Sequence, residues 1–439
     1  MKNRLRLVLF AAAVAAASSS RADTVQASST TLLLGRQDFR EGSLQTAVPL
    51  YELVNIVASE VKTPFTSNLE IALSTWGSVD LAERRIWQNG ALLDRKFTGD
   101  VNVGYIRADL LSDVLTLRLG RQMVADGAAR MVHLDGAEAR LALPLGFGLS
   151  GYAGSPVAPR FATRGGELEV GNIRATFATG GRLSWRYPGA LEVGASVATA
   201  SDRGDVSRQD VGADFRLTPV RFLQLSGAGW WSLYESRIGE ASVAATVFPV
   251  RHLDVTVDYR HVEPDLFLPR NSILAVFVAD KRNDVGGSIH WGALRNLSLD
   301  ADYHLLLEEE GQGHWGRLKG AYHPGAPETT VGAELSLLKS SAAASGINDN
   351  GYKLARLFGA KQLVRDVFAT LDLQGYFFDK DVNGQRKSLA ATATLAYELV
   401  RGWRAAVAGT AGSTPYLERQ FEIMAKLVYD QTYAIREVR

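Results

Sequence analysis

Apolar and polar residues alternate with a period of two over most of the chain, from about residue 47 to residue 430. In the stretch 253–261, positions 253, 255, 257 and 259 are Leu, Val, Val and Tyr, and positions 254, 256, 258 and 260 are Asp, Thr, Asp and Arg. Residues 297–305 and 389–399 repeat this pattern. A helix of 3.6 residues per turn would mix the two sets on one face, whereas a strand separates them. The alternation therefore predicts β-strands with one apolar and one polar face.

The connections between these strands predict hairpins with one short and one long end. Short elements that contain Pro, Gly or Val-Arg recur roughly every 30–45 residues, as at 144–146, 188–189, 219–221 and 249–251. Longer polar segments lie between them, at 201–206, 308–313, 340–351 and 379–386. Short turns at one end and longer loops at the other are typical of outer-membrane barrels, with the short turns in the periplasm.

The pattern therefore predicts an all-β fold, a transmembrane antiparallel up-and-down β-barrel. About ten hairpins indicate about 18–20 strands, in a range of 18–22. The alternative is a soluble β-sandwich or propeller. Two features argue against it: the polar face of each strand carries several charges, and the apolar faces form a continuous Leu/Val/Ala/Tyr band, as a lipid-facing surface requires. Aromatic residues also cluster near the short turns, as in a membrane-interface girdle. These aromatic residues are Trp185, Tyr187, Phe215, Phe248, Trp291, Tyr397, Trp403 and Tyr429.

A barrel of this size has a lumen too wide for side chains alone to fill. It holds water unless a loop plugs it. Residues 266–284 carry an apolar run, 273–279, within an expected outer loop. This segment is either a plug or a strand that extends above the membrane, and the sequence leaves both open.

The N-terminus resembles a secretory signal. Residues 1–22 begin with basic residues, continue with an apolar stretch too short to span a bilayer, and end in small residues with Ser20 and Ala22 at the −3 and −1 positions. We expect cleavage near Ala22 and export to the outer membrane. The predicted organisation is a signal peptide at 1–22, an N-terminal periplasmic segment at 23–46, the barrel at 47–429 and a tail at 430–439.

Composition narrows the function further. The 439 residues are 46% hydrophobic and 22% charged, with 48 Lys and Arg against 47 Asp and Glu and no basic tract, so we expect no nucleic-acid partner. The chain has no cysteine, which excludes disulfides, thiol catalysis and Fe–S clusters. No HExxH, GxSxG or Asp-rich calcium loop occurs, and the spacing of His133 and Asp135 alone is weak evidence for a catalytic site. We expect neither an enzyme nor a cofactor or metal site.

Charged residues at inward-facing positions are the candidate transport residues. Early strands carry arginines and later strands carry mainly aspartates, so two opposite walls could create a transverse field that orients polar solutes. The alternative is that neighbouring ion pairs neutralise these charges and stiffen the wall. Trp230 and Tyr152, also at inward parity, either stack on sugar rings or pack against a plug. The predicted lumen-lining residues are Arg118, Arg140, Arg182, Arg186, Asp254, Asp258, Arg260, Asp300, Asp302, His304 and Asp372, and Arg216 also faces inward.

Residues 115–124 and 133–143 resemble a pair of strands in alginate-export-type outer-membrane porins, and the chain as a whole resembles polysaccharide-export barrels of Gram-negative bacteria. In that family a strand that ends in Gly-Arg-Gln is followed by a strand with Asp-Gly-Ala. The matching residues here are Gly120, Arg121, Gln122, Asp135, Gly136 and Ala137. The resemblance implies about 18 strands and a conduit for a secreted polysaccharide. Such a conduit would work with a periplasmic polysaccharide-export protein.

Two other functions stay open at this point: a general or substrate-specific diffusion porin, and a plugged structural barrel of a surface complex. In every case we expect outer-membrane lipid, lipopolysaccharide and the barrel assembly machinery as partners.

Overall fold

The fold was derived from a computed structural model. It describes residues 24–40, 43–61, 65–81, 86–88, 91–93, 98–125, 127–129, 131–157, 176–202, 204–267, 281–294, 296–308, 311–325, 329–340 and 351–434. The predicted signal peptide and residues 435–439 of the predicted tail lie outside these ranges.

The chain forms one antiparallel up-and-down sheet of 22 strands that closes into a barrel, which confirms the predicted fold class. The second strand is split at Val48, and a small hairpin of Ile86–Gln88 and Ala91–Leu93 lies between β3 and β4. The strands are β1 Thr24–Arg40, β2 Ser43–Ala47 with Pro49–Val61, β3 Asn68–Asp80, β4 Thr98–Leu110, β5 Leu115–Ala125, β6 Met131–Ala142, β7 Phe147–Pro156, β8 Thr176–Tyr187, β9 Leu191–Asp202, β10 Asp205–Val220, β11 Leu223–Ser232, β12 Arg237–Val250, β13 Leu253–Val262, β14 Arg282–Leu294, β15 Leu297–Glu308, β16 Gly311–Tyr322, β17 Thr330–Ser340, β18 Tyr352–Val364, β19 Val367–Val382, β20 Gln385–Val400, β21 Trp403–Thr414 and β22 Leu417–Ala434.

The barrel closes between its first and last strands, from Thr24 opposite Ala434 to Phe39 opposite Arg419. The prediction of a periplasmic segment at 23–46 is therefore wrong, because Thr24–Arg40 and Ser43–Ala47 are barrel strands. Likewise, residues 430–434 belong to β22 rather than to a tail. A sheet edge left open in lipid would expose unpaired backbone groups, and this pairing removes that edge.

The strand count lies at the upper limit of the predicted range. The ten predicted hairpins span residues 67 to 430 and correspond to β3–β22, with residues 48–61 as a possible further strand; β1 and β2 complete the 22 strands. In β1 the run Leu32, Leu33, Leu34 breaks the period of two, so that strand carries no clear alternation signal. Within the predicted plug, residues 268–280 lie outside the described residues. From Arg282 onward the segment is strand β14.

The expected difference between short turns at one end of the barrel and long loops at the other is confirmed only in part. The predicted short turns lie at the barrel end that also holds Thr24 and Ala434. At the opposite end, which we call the outer end, three of the four predicted polar loops are largely strand: only 203–204, 309–310 and 383–384 separate the neighbouring strands. Strands such as β19 and β20 simply continue further than the apolar pattern indicates.

The outer surface of the barrel is apolar and the inner surface is polar. Leu119, Val257 and Ile423 are exposed on the outside, whereas their sequence neighbours Arg118, Asp258 and Glu422 point inward. This is the distribution of a β-barrel in lipid. In the described part of the chain, no helix is both long enough and apolar enough to cross a membrane.

Candidate functional site

The wall of the barrel parts between β4 and β5. These strands pair from Leu110 opposite Leu115 up to Gly104 opposite Arg121, and the ladder stops there. Above this point β4 continues along β3, and β5 stays paired with β6 alone, up to Ala125 opposite Met131. Strand β6 pairs with β7 only as far as Leu134 opposite Pro156. Backbone groups of β4 beyond Gly104 therefore need other partners.

Two side chains supply those partners. The Arg121 Nη1 donates to the carbonyl oxygen of Val101 at 2.8 Å and to Asp100 Oδ1 at 3.2 Å. The His133 Nε2 lies 2.7 Å from the carbonyl oxygen of Asn102. The Arg121 and His133 side chains thus replace the ladder hydrogen bonds that β4 and β5 no longer make with each other.

The glycines of the sequence motif allow this departure. Gly120 has φ +125°, and a Cβ there would lie 2.2 Å from the Gly104 carbonyl oxygen. A Cβ at Gly136 would lie 2.2 Å from the Ala153 carbonyl oxygen. Both positions require a residue without a side chain, because backbone atoms occupy that space.

Above the parting, the β5–β6 hairpin turns into the lumen. Val124 and Leu134 are 0% exposed and pack on Tyr152 of β7, whose side chain faces inward. The tip of the hairpin is a single 3-10 turn, Gly127–Ala129, which we call the inward turn. This turn contacts β9, β10 and β11, which lie several strands further around the barrel. It therefore forms a shelf across one side of the lumen.

An ion pair supports the inward turn. Arg182 of β8 pairs with Asp214 of β10, and both side chains are mostly shielded. A Cβ at Gly127 would lie 2.9 Å from Arg182 Nε and 3.0 Å from Asp214 Oδ2. The turn consequently rests on this pair, at about the middle of both strands.

Strand register places the predicted lumen residues on the inner wall. On the early strands, Arg118 and Arg140 share Glu138, whose side chain is 2% exposed, with closest distances of 3.1 and 2.7 Å. Arg186 pairs with Glu192 at 3.0 Å. Arg216 lies opposite Glu192 in the ladder between β9 and β10.

On the later strands most of the predicted residues are aspartates, and basic side chains pair with them. Asp302 accepts from Arg317 at 2.8 Å, and Asp372 accepts from Arg356 at 2.9–3.0 Å. The Asp300 carboxylate lies 2.5 Å from His290 Nδ1, and Asp254 lies directly opposite the same His290 in the ladder. The remaining pairs join Asp258 to His304 at 3.8 Å and Arg260 to Glu240 at 2.7 Å.

Both walls therefore carry both signs of charge at close range. This arrangement matches the alternative of neighbouring ion pairs and departs from the segregation of early arginines from late aspartates. The role of these residues in transport stays a prediction.

The partner residues were not identified from sequence. Glu138, Asp214, Glu240, Arg317 and Arg356 complete the pairs, and each lies on a strand at the same inward parity. The alternation of apolar and polar residues is enough to predict that these side chains point inward. Which charge meets which depends on the register between strands, and the sequence leaves register open.

The aromatic candidates are not available to solutes. Tyr152 packs beneath the β5–β6 hairpin, and Trp230 is buried against Gly239, with Arg208 5.5 Å from its ring centre. Of the two predicted roles, the structure favours packing: Tyr152 packs against the β5–β6 hairpin. Residues 268–280 of the predicted plug lie outside the described residues. In the described ranges no group of three His, Asp or Glu side chains could hold a metal ion.

No protein-family model matches the chain, and no curated protein matches its sequence. Its fold is similar to those of outer-membrane β-barrels. OccAB4 from Acinetobacter baumannii has 9% identity and a TM-score of 0.46, with 94% of this chain and 99% of that chain covered. OpdK from Pseudomonas aeruginosa has 10% identity and a TM-score of 0.46 over 93% and 98%. The siderophore receptor PirA from Pseudomonas aeruginosa has 10% identity and a TM-score of 0.49 over 93% and 80%.

Proposed function

We propose that the chain forms a water-filled channel in the outer membrane through which small polar solutes diffuse. The main observation in support of this proposal is the inward turn, which rests on the Arg182–Asp214 pair inside a polar lumen. A loop that folds inward narrows the passage at one level and leaves the rest of the lumen wide.

The width of the barrel supports this proposal, because a lumen of this size needs a narrowing to bring solutes close to the wall. Twenty-two strands spaced about 4.8 Å apart and tilted by about 40° enclose a backbone ring roughly 40 Å across. Side chains on the wall are too short to fill that width. The shelf formed by the inward turn reduces the opening on the side of β6–β11 and brings the solute close to charged side chains.

This proposal departs from the polysaccharide conduit that the sequence resemblance implied. A charged polymer would meet both signs of charge in turn along the paired walls, and Tyr152 and Trp230 offer no stacking surface for sugar rings. The Gly-Arg-Gln and Asp-Gly-Ala residues, on which that resemblance rests, hold the β5–β6 hairpin in place.

Single-channel recording tests the proposal. The full chain, refolded from inclusion bodies, would be inserted into planar bilayers of diphytanoyl phosphatidylcholine. We expect steady ohmic steps whose size falls when polyethylene glycols small enough to enter the lumen are added. Insertion without conductance, verified by protease protection in liposomes, would contradict a diffusion channel and favour a plugged barrel.

Processing and location form a separate part of the proposal. The apolar exterior and the signal-like residues 1–22 support export and insertion into the outer membrane. N-terminal sequencing of the protein recovered from outer-membrane fractions would test cleavage near Ala22. An uncleaved protein in the inner membrane would contradict it.

A further inference from the structure

Four basic side chains project from the outside of the barrel near its outer end. They lie on β17, β18, β20 and β22, face away from the lumen and are exposed. None of them has an ion-pair partner in the described part of the chain. We call these residues the outer cation row: Lys339, Lys353, Lys387 and Arg419.

The middle of the row has a defined geometry. Phe377 of β19 lies directly between Lys353 on one neighbouring strand and Lys387 on the other. The two lysines are therefore two strand spacings apart, roughly 10 Å. The exposed Phe377 ring marks the level where apolar surface gives way to the headgroup region, because aromatic rings favour that boundary. On this ground we assign Lys353 and Lys387 to headgroup level.

Apolar grooves run below the row. One groove of about 640 Å³ crosses β18–β22, where the small residues Gly375, Ala391 and Ala411 lie between larger ones such as Leu373, and Arg419 stands at its rim. The small residues leave space between the leucine side chains that an acyl chain can fill.

A second groove of about 500 Å³ lies beside the first. It crosses β16–β18, between Leu318 and Leu335, and Lys353 lines it. Each groove thus combines an apolar floor with a member of the outer cation row at its edge.

In the described part of the chain, the nearby carboxylates Asp379, Asp381 and Glu418 form no ion pair with the row. Asp379 is exposed at the same outward parity as Phe377, and Glu418 lines the first groove beside Arg419. Asp381 lies above the row at the tip of the β19–β20 hairpin, where it accepts from Arg386 at 2.9 Å. Elsewhere on the exterior, Arg121 already forms its ion pairs with Asp135 and Asp100. The outer cation row thus lies in the sector that also holds the two grooves.

We propose that this sector binds a phosphorylated, multiply acylated glycolipid of the outer leaflet. The phosphates contact Lys353, Lys387 and Arg419, and the acyl chains lie in the two grooves. Lysine and arginine both bind phosphate through charge-assisted hydrogen bonds. Burial of acyl chains against Leu and Ala side chains adds favourable contact. The site faces away from the lumen, so it does not depend on whether the channel conducts.

Native mass spectrometry of the refolded full chain in detergent would test this site. Bisphosphorylated lipid A is the probe, and phosphatidylglycerol and phosphatidylethanolamine are the comparison lipids. The test variant combines Lys353→Gln, Lys387→Gln and Arg419→Gln. The matched control removes three cations from the opposite end of the same sector: Lys361→Gln, Arg365→Gln and Arg401→Gln. A third variant, Ala411→Trp, fills a groove and leaves every charge in place.

We expect wild type to bind lipid A about ten-fold more tightly than phosphatidylglycerol, because only lipid A engages several cations at once. The outer triple variant should lose most of this preference, the control should retain it, and Ala411→Trp should weaken binding with the charges intact. Equal loss in the triple variant and its control, or equal binding of phosphatidylglycerol by wild type, would overturn the proposal. Heat-modifiable migration on gels would verify that each variant is folded.

Discussion

Arg121 and Asp135 meet through two parallel hydrogen bonds, from Nε to Oδ1 at 2.7 Å and from Nη2 to Oδ2 at 2.8 Å, at the level where β4 and β5 part. The same guanidinium donates to the carbonyl oxygen of Val101. The pair therefore joins the β5–β6 hairpin to β4 at a place where backbone pairing has ended. Planar bidentate contacts of this kind are the stronger class of ion pair.

Breaking this pair should destabilise the barrel. We expect Arg121→Gln to lower the free energy of unfolding by about 1–3 kcal/mol, because Asp135 and the Val101 carbonyl both lose their donor. Asp135→Asn should cost less, since the amide still accepts one hydrogen bond. Urea titration of the protein in phospholipid vesicles, followed by tryptophan fluorescence, would measure both.

The double variant and an exposed pair serve as controls. The two single effects should not add in the double variant, since both remove one interaction. The Arg386–Asp381 pair, with side chains 68% and 58% exposed, should contribute less than about 0.5 kcal/mol. Equal effects at the two pairs would show that the pair at the parting is an ordinary surface contact.

Gly120 should tolerate no side chain. At φ +125° an L-residue is strained, and the Cβ would overlap the Gly104 carbonyl. We expect Gly120→Ala to lower the free energy of unfolding by about 2–4 kcal/mol. Gly409→Ala is the matched control, because a Cβ there meets nothing within 4 Å. The same urea titration compares them, and a harmless Gly120→Ala would mean that the strands do not part as described.

The sequence predicts the direction of side chains better than their partners. Alternation in residues 253–261 and 297–305 assigns Asp258, Arg260 and Asp302 to the polar face, and the structure places all three on the inner wall. Period two is a local property, so a single strand reveals it. The strand β1 escaped detection because Thr30–Thr31 and Leu32–Leu34 place like residues side by side, and only its pairing with β22 defines it.

The site itself depends on contacts far apart in the chain. Arg182 and Asp214 are 32 positions apart and meet across β9, which requires the register of three strands. The inward turn Gly127–Ala129 has the composition of an ordinary short loop. Nothing in that composition indicates that the hairpin folds into the lumen, since the cause is the loss of pairing between β4 and β5.

The inward turn should control the width of the channel. Ala128→Trp adds a large ring to the tip of the shelf, so we expect a clear fall in single-channel conductance, to roughly half of the wild-type value. Ala391→Trp adds the same ring to the outside of the barrel and should leave conductance unchanged. A wild-type conductance for Ala128→Trp would show that the turn does not stand in the path of ions.

The Arg182–Asp214 pair should set the charge preference at the narrow level of the lumen. Asp214→Asn leaves the Arg182 charge without its counter-ion, so anions should be favoured. Arg182→Gln leaves Asp214 unpaired and should favour cations. Reversal potentials in a tenfold salt gradient should therefore shift in opposite directions, with permeability ratios changing roughly two-fold. The double variant should return to the wild-type preference, because it removes both charges together. A shift of the same sign in both single variants would contradict this, since it would mean that altered pore shape, rather than the released charge, determines which ion passes.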